Sequence, residues 1–449
     1  MMRAFTLSEI ASATNGTLIG EDRLIETVST DSRSIEAGAL FVALTGDHFD
    51  GHDYTSQALL SGAAACLVSR QVSGVPCVIV RDTVQAYGEL AKLNRAHFKG
   101  SLIALTGSAG KTTTKEMLAK VLSCQGDTLK TAENLNNTIG VPKTLIELNA
   151  THKFAVIEMG ANAPGEIAFS VDKALPDISV ILNASEAHTQ GFGDLNGVVK
   201  AKGEILNSIT STGYAVLNAD DNGLGYWSEL VTRSGHKMFT FGVHNPAANL
   251  FAANIKLNHQ GCAGFDLMLK GQSIGHCHLS VPGRHQVANA LAVLSCCIIL
   301  NIPVERALAA IKTFAGVKGR ISLLKGLNGS TIYDDTYNAS PASMVAAIDL
   351  LASLPGEHIG VLADMAELGA QSEFHHRQIA EYAVDNLTDV RLLGPTFLKI
   401  APQHSYQDKQ QLIDSLKLDL KPNINVLIKG ANAMKMNEVV NAVVEKEPL

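Results

Sequence analysis

The sequence predicts an α/β protein in which a central parallel sheet carries a phosphate-binding loop, with a further α/β domain on either side of it in the chain. Three observations predict it. The chain is 449 residues long, about three domains at roughly 100 to 200 residues each. Short apolar runs of Val, Ile, Leu and Ala alternate with helical patterns along most of it, as buried parallel strands alternate with their crossover helices. One such run, 102–105, leads directly into Thr106-Gly107-Ser108-Ala109-Gly110-Lys111-Thr112-Thr113, and Met117, Leu118, Val121 and Leu122 then fall on one helical stripe.

Taken in order, runs at 40–44, 64–68 and 77–80 read as strands of a small first domain, 1–99, and 86–97 as the helix that leaves it. A second domain, 100–316, opens with the strand before the phosphate loop and continues with strand candidates at 154–157 and 178–182. A helix over 304–314 and a strand over 330–333 bracket the next boundary, near Gly316-Val317-Lys318-Gly319-Arg320. Strands at 358–362, 390–393 and 426–428, separated by helical segments, give a third domain, 317–449, its own parallel sheet.

Composition narrows the function. Lys plus Arg number 36 against 43 Asp plus Glu, a formal charge of −7, which argues against a nucleic-acid or anionic-membrane surface. No apolar run is long enough for a membrane helix, and the start of the chain turns polar too early for a signal peptide. A soluble cytoplasmic protein is expected. The seven cysteines lack metal-like pairing and are expected to be buried, reduced thiols, with His276 and His278 on a strand face.

The loop carries the chemistry. Small residues let backbone N–H groups close on phosphate oxygens at a helix N-terminus, Lys111 brings a point charge, and the Thr112 hydroxyl suits Mg²⁺. ATP or GTP is implied. Leu105 stands where the general pattern has its first glycine, so Gly107 supplies the turn. Glu158, at a strand end beside the loop, is the best further magnesium ligand, and His188 follows the next strand. Lys200 and Lys202 read from the residues alone as a solvated face. Asn134, Asn136, Asn137 and Thr138 sit in one loop closed by Gly140 and Pro142, which suggests hydrogen bonding to a polar ligand. Tyr333 to Pro341 is either a turn and helix cap or, with Asp334 and Asp335 beside Tyr337 and Asn338, a site for a ribose hydroxyl or an amine.

Together these residues resemble the Mur ligase family, ATP-dependent amide-bond-forming enzymes of bacterial cell-wall synthesis. The shortened loop, Glu158, His188, Gly283-Arg284-His285 with Asn289, Arg320 and Asp335 occur in the family's order, and the resemblance spans essentially the whole chain. It implies the three-domain Mur ligase architecture, with a Rossmann-like last domain. Ser29 to Arg33, Asn134 to Pro142 and Asp364-Met365-Ala366-Glu367-Leu368-Gly369 favour the members that add D-alanyl-D-alanine to UDP-N-acetylmuramoyl-tripeptide. The sibling that adds the third amino acid and a folate-polyglutamylating ligase are the alternatives; a nucleotide-dependent switch lacks its guanine-reading Asn-Lys-x-Asp tetrapeptide.

The resemblance assigns roles. Gly107, Ser108, Ala109, Gly110, Lys111, Thr112 and Thr113 would bind the ATP phosphates, with Asn289, Arg320 and Asp335 on the rest of the nucleotide. Thr112 and Glu158 would hold one Mg²⁺ and His188 a second, helped by a CO₂-derived carbamate on Lys202. Ser32, Arg33 and the loop 46–52 would hold the UDP end, and Asn134, Asn136, Asn137, Thr138, Tyr337 and Asn338 the substrates. Lys111, Glu158, His188, Lys202 and Asp335 form the expected catalytic set, in a monomer. The chain departs from the family at Gln286, Ala363 and Ala431-Asn432.

Overall fold

The computed structural model describes residues 2–46, 49–72, 74, 76–185, 192–366 and 368–445. The chain falls into two compact units, Met1–Lys111 with Leu118–Phe241, and Thr112–Met117 with Gly242–Leu449.

In the first unit the strands Thr17–Ile19, Cys77–Ile79, Ala65–Val68, Leu40–Val42 and Val28–Ser29 form one sheet in that order, parallel except for the first pair. Apolar runs with both faces covered need no polar alternation, and Leu40, Val42, Ala65, Leu67 and Val78 are fully buried. The helix Thr83–Arg95 starts on an Asp82 side chain that accepts from the Val84 and Gln85 N–H groups. It buries Tyr87, Leu90 and Ala91 on one stripe. At its end Asn94 Nδ2 donates to the carbonyls of Leu145, Ile146 and Leu148, and Arg95 donates to those of Ala174 and Leu175. The first hundred residues therefore share one apolar core with the strands that follow.

Those strands run parallel in the order Thr128–Lys130, Phe154–Glu158, Ser101–Thr106, Ile178–Ile181, Tyr214–Asn218 and Lys237–Gly242. The chain's direction of travel across the sheet reverses at Ser101–Thr106. At such a switch point the crossover helices leave on opposite faces and open a crevice at the carboxyl ends of the strands. Gly107 stands at the mouth of that crevice.

The second unit contains an antiparallel set, Leu250–Leu257, Cys262–Leu269 and Gln272–Pro282, followed by the helices Gln286–Ile299 and Val304–Lys312. His276 lies on that strand face and pairs with Asp266 at 2.7 Å. Beyond it lies a six-stranded sheet in the order Ser322–Lys325, Thr331–Asp335, Ile424–Lys429, Glu357–Ala363, Asp389–Leu393 and Ser405–Tyr406, parallel after the first pair. Ala363 is accommodated because Gly430 faces it without a side chain: a Cβ there would lie 2.7 Å from that of Ala363.

One expectation is corrected. Six cysteines are buried, but Cys124 is exposed, because it follows the last turn of the helix Lys111–Ser123 on its solvent side, where its thiol contacts the Lys120 carbonyl. Among the described residues no helix is long and apolar enough to cross a membrane.

Candidate active site

The strand Ser101–Thr106 ends fully buried, with the Thr106 hydroxyl donating to the Met159 carbonyl at 2.8 Å. At Gly107 a Cβ would come within 3.0 Å of Leu182 Cβ and 3.2 Å of the Ala109 carbonyl, so any side chain there would crowd the neighbouring strand end. Gly110 takes φ +80° immediately before the helix, a conformation that costs glycine little. The helix Lys111–Ser123 then presents the positive end of its dipole to the loop. Lys111 Nζ donates to the Gly107 carbonyl at 2.7 Å, which holds the ammonium over the loop.

Glu158 lies in register with Leu105 on the adjacent strand, one residue below the loop. Its carboxylate is 2 % exposed and its orientation is built from two sides. Asn136 Nδ2 donates to Oε1 at 2.9 Å, and the Glu158 N–H donates to the buried Thr131 hydroxyl at 2.9 Å. Asn136 is fixed in turn by its carbonyl, which accepts from the Gly160 N–H at 2.8 Å. Asn137 Oδ1 accepts from the N–H groups of Ile139 and Gly140 at 3.2 and 2.8 Å and so caps the entry to the helix Gly140–Ile146. The asparagine loop thus does two jobs inside the protein. It starts a helix and it aims a carboxylate.

Lys202 sits near the end of the helix Leu195–Gly203, whose first turn is capped by Asp194. The reading of Lys202 as part of a solvated face is overturned: it is 3 % exposed, with its ammonium 5.7 Å from the centre of the Phe192 ring. Burial, reinforced by the charge of Lys111, lowers its pKa to about 7. Glu204 does not pair with it directly; its two oxygens accept from the Gly165 and Ala168 N–H groups and cap the helix Glu166–Ala174. His188 lies outside the described residues.

In the first sheet's loops, Asp31 grips Arg33 through two hydrogen bonds of 2.9 and 2.7 Å, and that guanidinium holds Asp31 down to about 2. Lys143, on the helix that follows the asparagine loop, adds to the shift, so the Arg33 turn and that helix lie in electrostatic reach of each other. Ser32 is buried and Arg33 exposed. Within 46–52, His52 is buried, bonded to Asp50 through Nδ1 at 2.6 Å and accepting the Ser69 N–H on Nε2 at 2.9 Å. Both ring nitrogens are thereby occupied by the fold.

In the second unit, Lys429 Nζ binds Asp335 Oδ2 at 2.6 Å and the Asn338 carbonyl at 2.9 Å, beneath a turn in which the Arg320 guanidinium stacks 3.9 Å from the Tyr337 ring centre. Asn432 Nδ2 reaches the Tyr337 carbonyl at 3.2 Å. Asn289, buried, donates to Gln286 Oε1 at 2.8 Å. Arg320, Asp335, Tyr337 and Asn338 are therefore brought together around Lys429, while Lys111, Glu158, Asn136 and Lys202 gather in the first unit. Lys429 escaped the sequence reading as a site residue; the Lys-Gly pair ending a strand was its signal.

Three family models cover most of the chain: the Mur ligase family, catalytic domain, at residues 24–96; the Mur ligase middle domain at 105–297; and the Mur ligase, glutamate ligase domain, at 319–432. The UDP-N-acetylmuramoyl-tripeptide–D-alanyl-D-alanine ligase of Escherichia coli K12 is 40% identical to it over 99% of both chains. The chain belongs to the Mur ligase family. A crystal structure of MurF from Acinetobacter baumannii superimposes on this Mur ligase with a TM-score of 0.89 at 31% identity, covering 98% of each chain. The MurF of Thermotoga maritima in complex with ADP does so with 0.84 at 28%, covering 93% of this Mur ligase and 96% of that chain. The mixed α/β fold, with its largely parallel sheets, is that of the three-domain Mur ligases.

Proposed function

We propose that this Mur ligase joins D-alanyl-D-alanine to UDP-N-acetylmuramoyl-tripeptide at the expense of ATP, an amide-forming step of peptidoglycan synthesis. The substrates are those named for relatives that match it from end to end. The observation that carries the chemistry is the grouping of Lys111, buried Glu158 and the depressed amine of Lys202 beside one phosphate loop.

A carboxylate repels nucleophiles and has no leaving group, and phosphorylation removes both obstacles. The terminal carboxylate of the tripeptide attacks the γ-phosphorus of ATP, the bond to the β-γ bridging oxygen breaks, and ADP leaves. The dipeptide amine then attacks the acyl phosphate carbon, and phosphate departs with the bonding pair. Lys111 offsets charge on the transferring group, and the N–H groups at the head of its helix hold the phosphates. Glu158 suits Mg²⁺: it is a hard oxygen donor, buried, with one oxygen already steered by Asn136. Magnesium bound there with Thr112 would neutralise phosphate charge and fix its geometry.

An ammonium cannot ligate a metal, so Lys202 serves a second ion only after conversion. Its pKa near 7 leaves about half of the amine neutral at neutral pH, against roughly one part in a thousand for an ordinary lysine. The neutral amine adds to CO₂ and loses a proton, giving a carbamate with two oxygen donors. Arg33 and Ser32 would meet the UDP end, and Asp335, Tyr337 and Asn338 the amine or the ribose.

Replacing Lys111 by Ala tests the reading. ADP release is expected to fall at least a thousandfold while binding of the UDP-tripeptide stays within twofold; retained ADP release would overturn it.

A further inference from the structure

The phosphate loop lacks the glycine that usually opens it, and Leu105 in that place is a buried strand residue. Something outside the loop must therefore impose its shape. The candidate is Asn183, two residues past the strand Ile178–Ile181. Its Oδ1 accepts the Ala109 N–H at 2.9 Å and its Nδ2 donates to the Ala109 carbonyl at 3.1 Å, so the side-chain amide pairs with a loop peptide as a neighbouring strand would. Its own carbonyl accepts the Ser108 N–H at 3.1 Å. Two residues on, the Ser185 N–H donates to Ser108 Oγ at 3.0 Å.

Asn183 is itself anchored on both sides. Asn218 Nδ2 donates to the Leu182 carbonyl at 2.9 Å, and Asp221 Oδ2 accepts the Ala184 N–H at 2.8 Å. Asp221 is held by the Gly223 N–H on its other oxygen, again at 2.8 Å. The chain of bonds thus runs from the turn after the strand Tyr214–Asn218, through 182–185, to the loop.

We infer that Asn183 is a positioning residue for nucleotide binding: it templates the phosphate loop from the neighbouring strand end, and the Ser108 and Ala109 N–H groups bind it rather than phosphate. This rests on the reading of the loop as an ATP site. A loop ordered before its ligand arrives loses less conformational freedom on binding, so the side-chain amide acts on affinity for nucleotide. Asp at this position would keep the acceptor for the Ala109 N–H but set an oxygen against the Ala109 carbonyl, and would add a negative charge beside the phosphates.

The test is calorimetric titration of the full chain with Mg²⁺ and a non-hydrolysable ATP analogue, run beside titration with the UDP-tripeptide. Losing two neutral hydrogen bonds, Asn183→Ala is expected to bind the analogue about 10- to 100-fold more weakly. UDP-tripeptide affinity is expected to stay within twofold and the KM for ATP to rise more than kcat falls. Asn183→Asp is expected to bind the analogue no better than the alanine variant, and it decides the matter if the alanine variant does not fold. Asp221→Asn keeps an acceptor for only one of the Ala184 and Gly223 N–H groups, and is expected to bind the analogue more weakly than wild type but more tightly than Asp221→Ala. Analogue binding by Asn183→Ala or Asn183→Asp equal to wild type would overturn the inference alone, as would equal loss of both ligands. Failure of the wild-type chain to bind the analogue would overturn the nucleotide reading with it.

Discussion

Lys202 shows how burial lowers the pKa of an ordinary lysine. Without solvent its ammonium is penalised, and the nearby Lys111 charge adds to the penalty. The folded pKa of about 7 lies below the unfolded value of about 10.4, so between those values the unfolded chain binds more protons than the folded one. Stability must then rise with pH across that window. In CO₂-free buffer the wild type should gain stability relative to Lys202→Met between pH 7 and 10, by thermal melts; parallel pH profiles would refute the shifted amine. For Lys202→Ala, activity restored by added short carboxylates would support the carbamate. From the residues alone this lysine reads like Lys200, two residues earlier on the same helix, and only the family resemblance singled it out. Packing distinguishes them, leaving one under the Phe192 ring and the other exposed.

At the scale of elements, the asparagine loop separates two effects that the sequence merges. Asn137→Ala removes the cap of the helix Gly140–Ile146 and should cost about 1 kcal/mol in urea unfolding. Asn136→Ala leaves that cap in place but removes one hydrogen bond that steers the Glu158 carboxylate, so it should raise the Mg²⁺ concentration for half-maximal activity several-fold with a smaller change in stability. A reversed pattern would mean the two asparagines have been assigned to each other's roles. The sequence presented four polar tips in one loop and implied a ligand; it could not show that two of them bond within the protein, because Asn136 and Glu158 stand 22 residues apart. The parallel strands that were read fell within a residue or two of their bounds, since a short uninterrupted apolar run between turn residues suits a strand covered on both faces, but the equally buried strand Tyr214–Asn218 was not read. The antiparallel strands Leu250–Leu257 and Cys262–Leu269 were not read either, because Asn254 and Lys256 are exposed and break the apolar pattern of the first, and Gly264 and Asp266 break that of the second. The pair Lys429 and Asp335 was equally hidden, joining neighbouring strands 94 residues apart in sequence. Their side chains are 3 % and 13 % exposed, so Asp335→Asn leaves a nearly buried ammonium without its counterion and should cost about 3 to 5 kcal/mol, read as a lowered midpoint for unfolding. Unchanged stability would free Asp335 for a purely catalytic role.

Across the whole molecule, the order of the family's residues was readable before any contact was known, and the phosphate loop, Glu158 and Asp335 each lie at the carboxyl end of a strand. Identity of the amine was carried by resemblance alone: among the described residues no side chain around Lys111 or Lys429 distinguishes a dipeptide from a single amino acid by its chemistry. The proposed acyl phosphate would react with any suitable amine, which makes the amine the deciding variable. The most direct measurement is sustained ADP release from the full chain with ATP, Mg²⁺ and UDP-N-acetylmuramoyl-tripeptide, comparing D-alanyl-D-alanine with single amino acids and with no amine. Turnover with the dipeptide and little with the others is the predicted result. Turnover driven by a single amino acid but not the dipeptide, or equally fast hydrolysis without any amine, would contradict it.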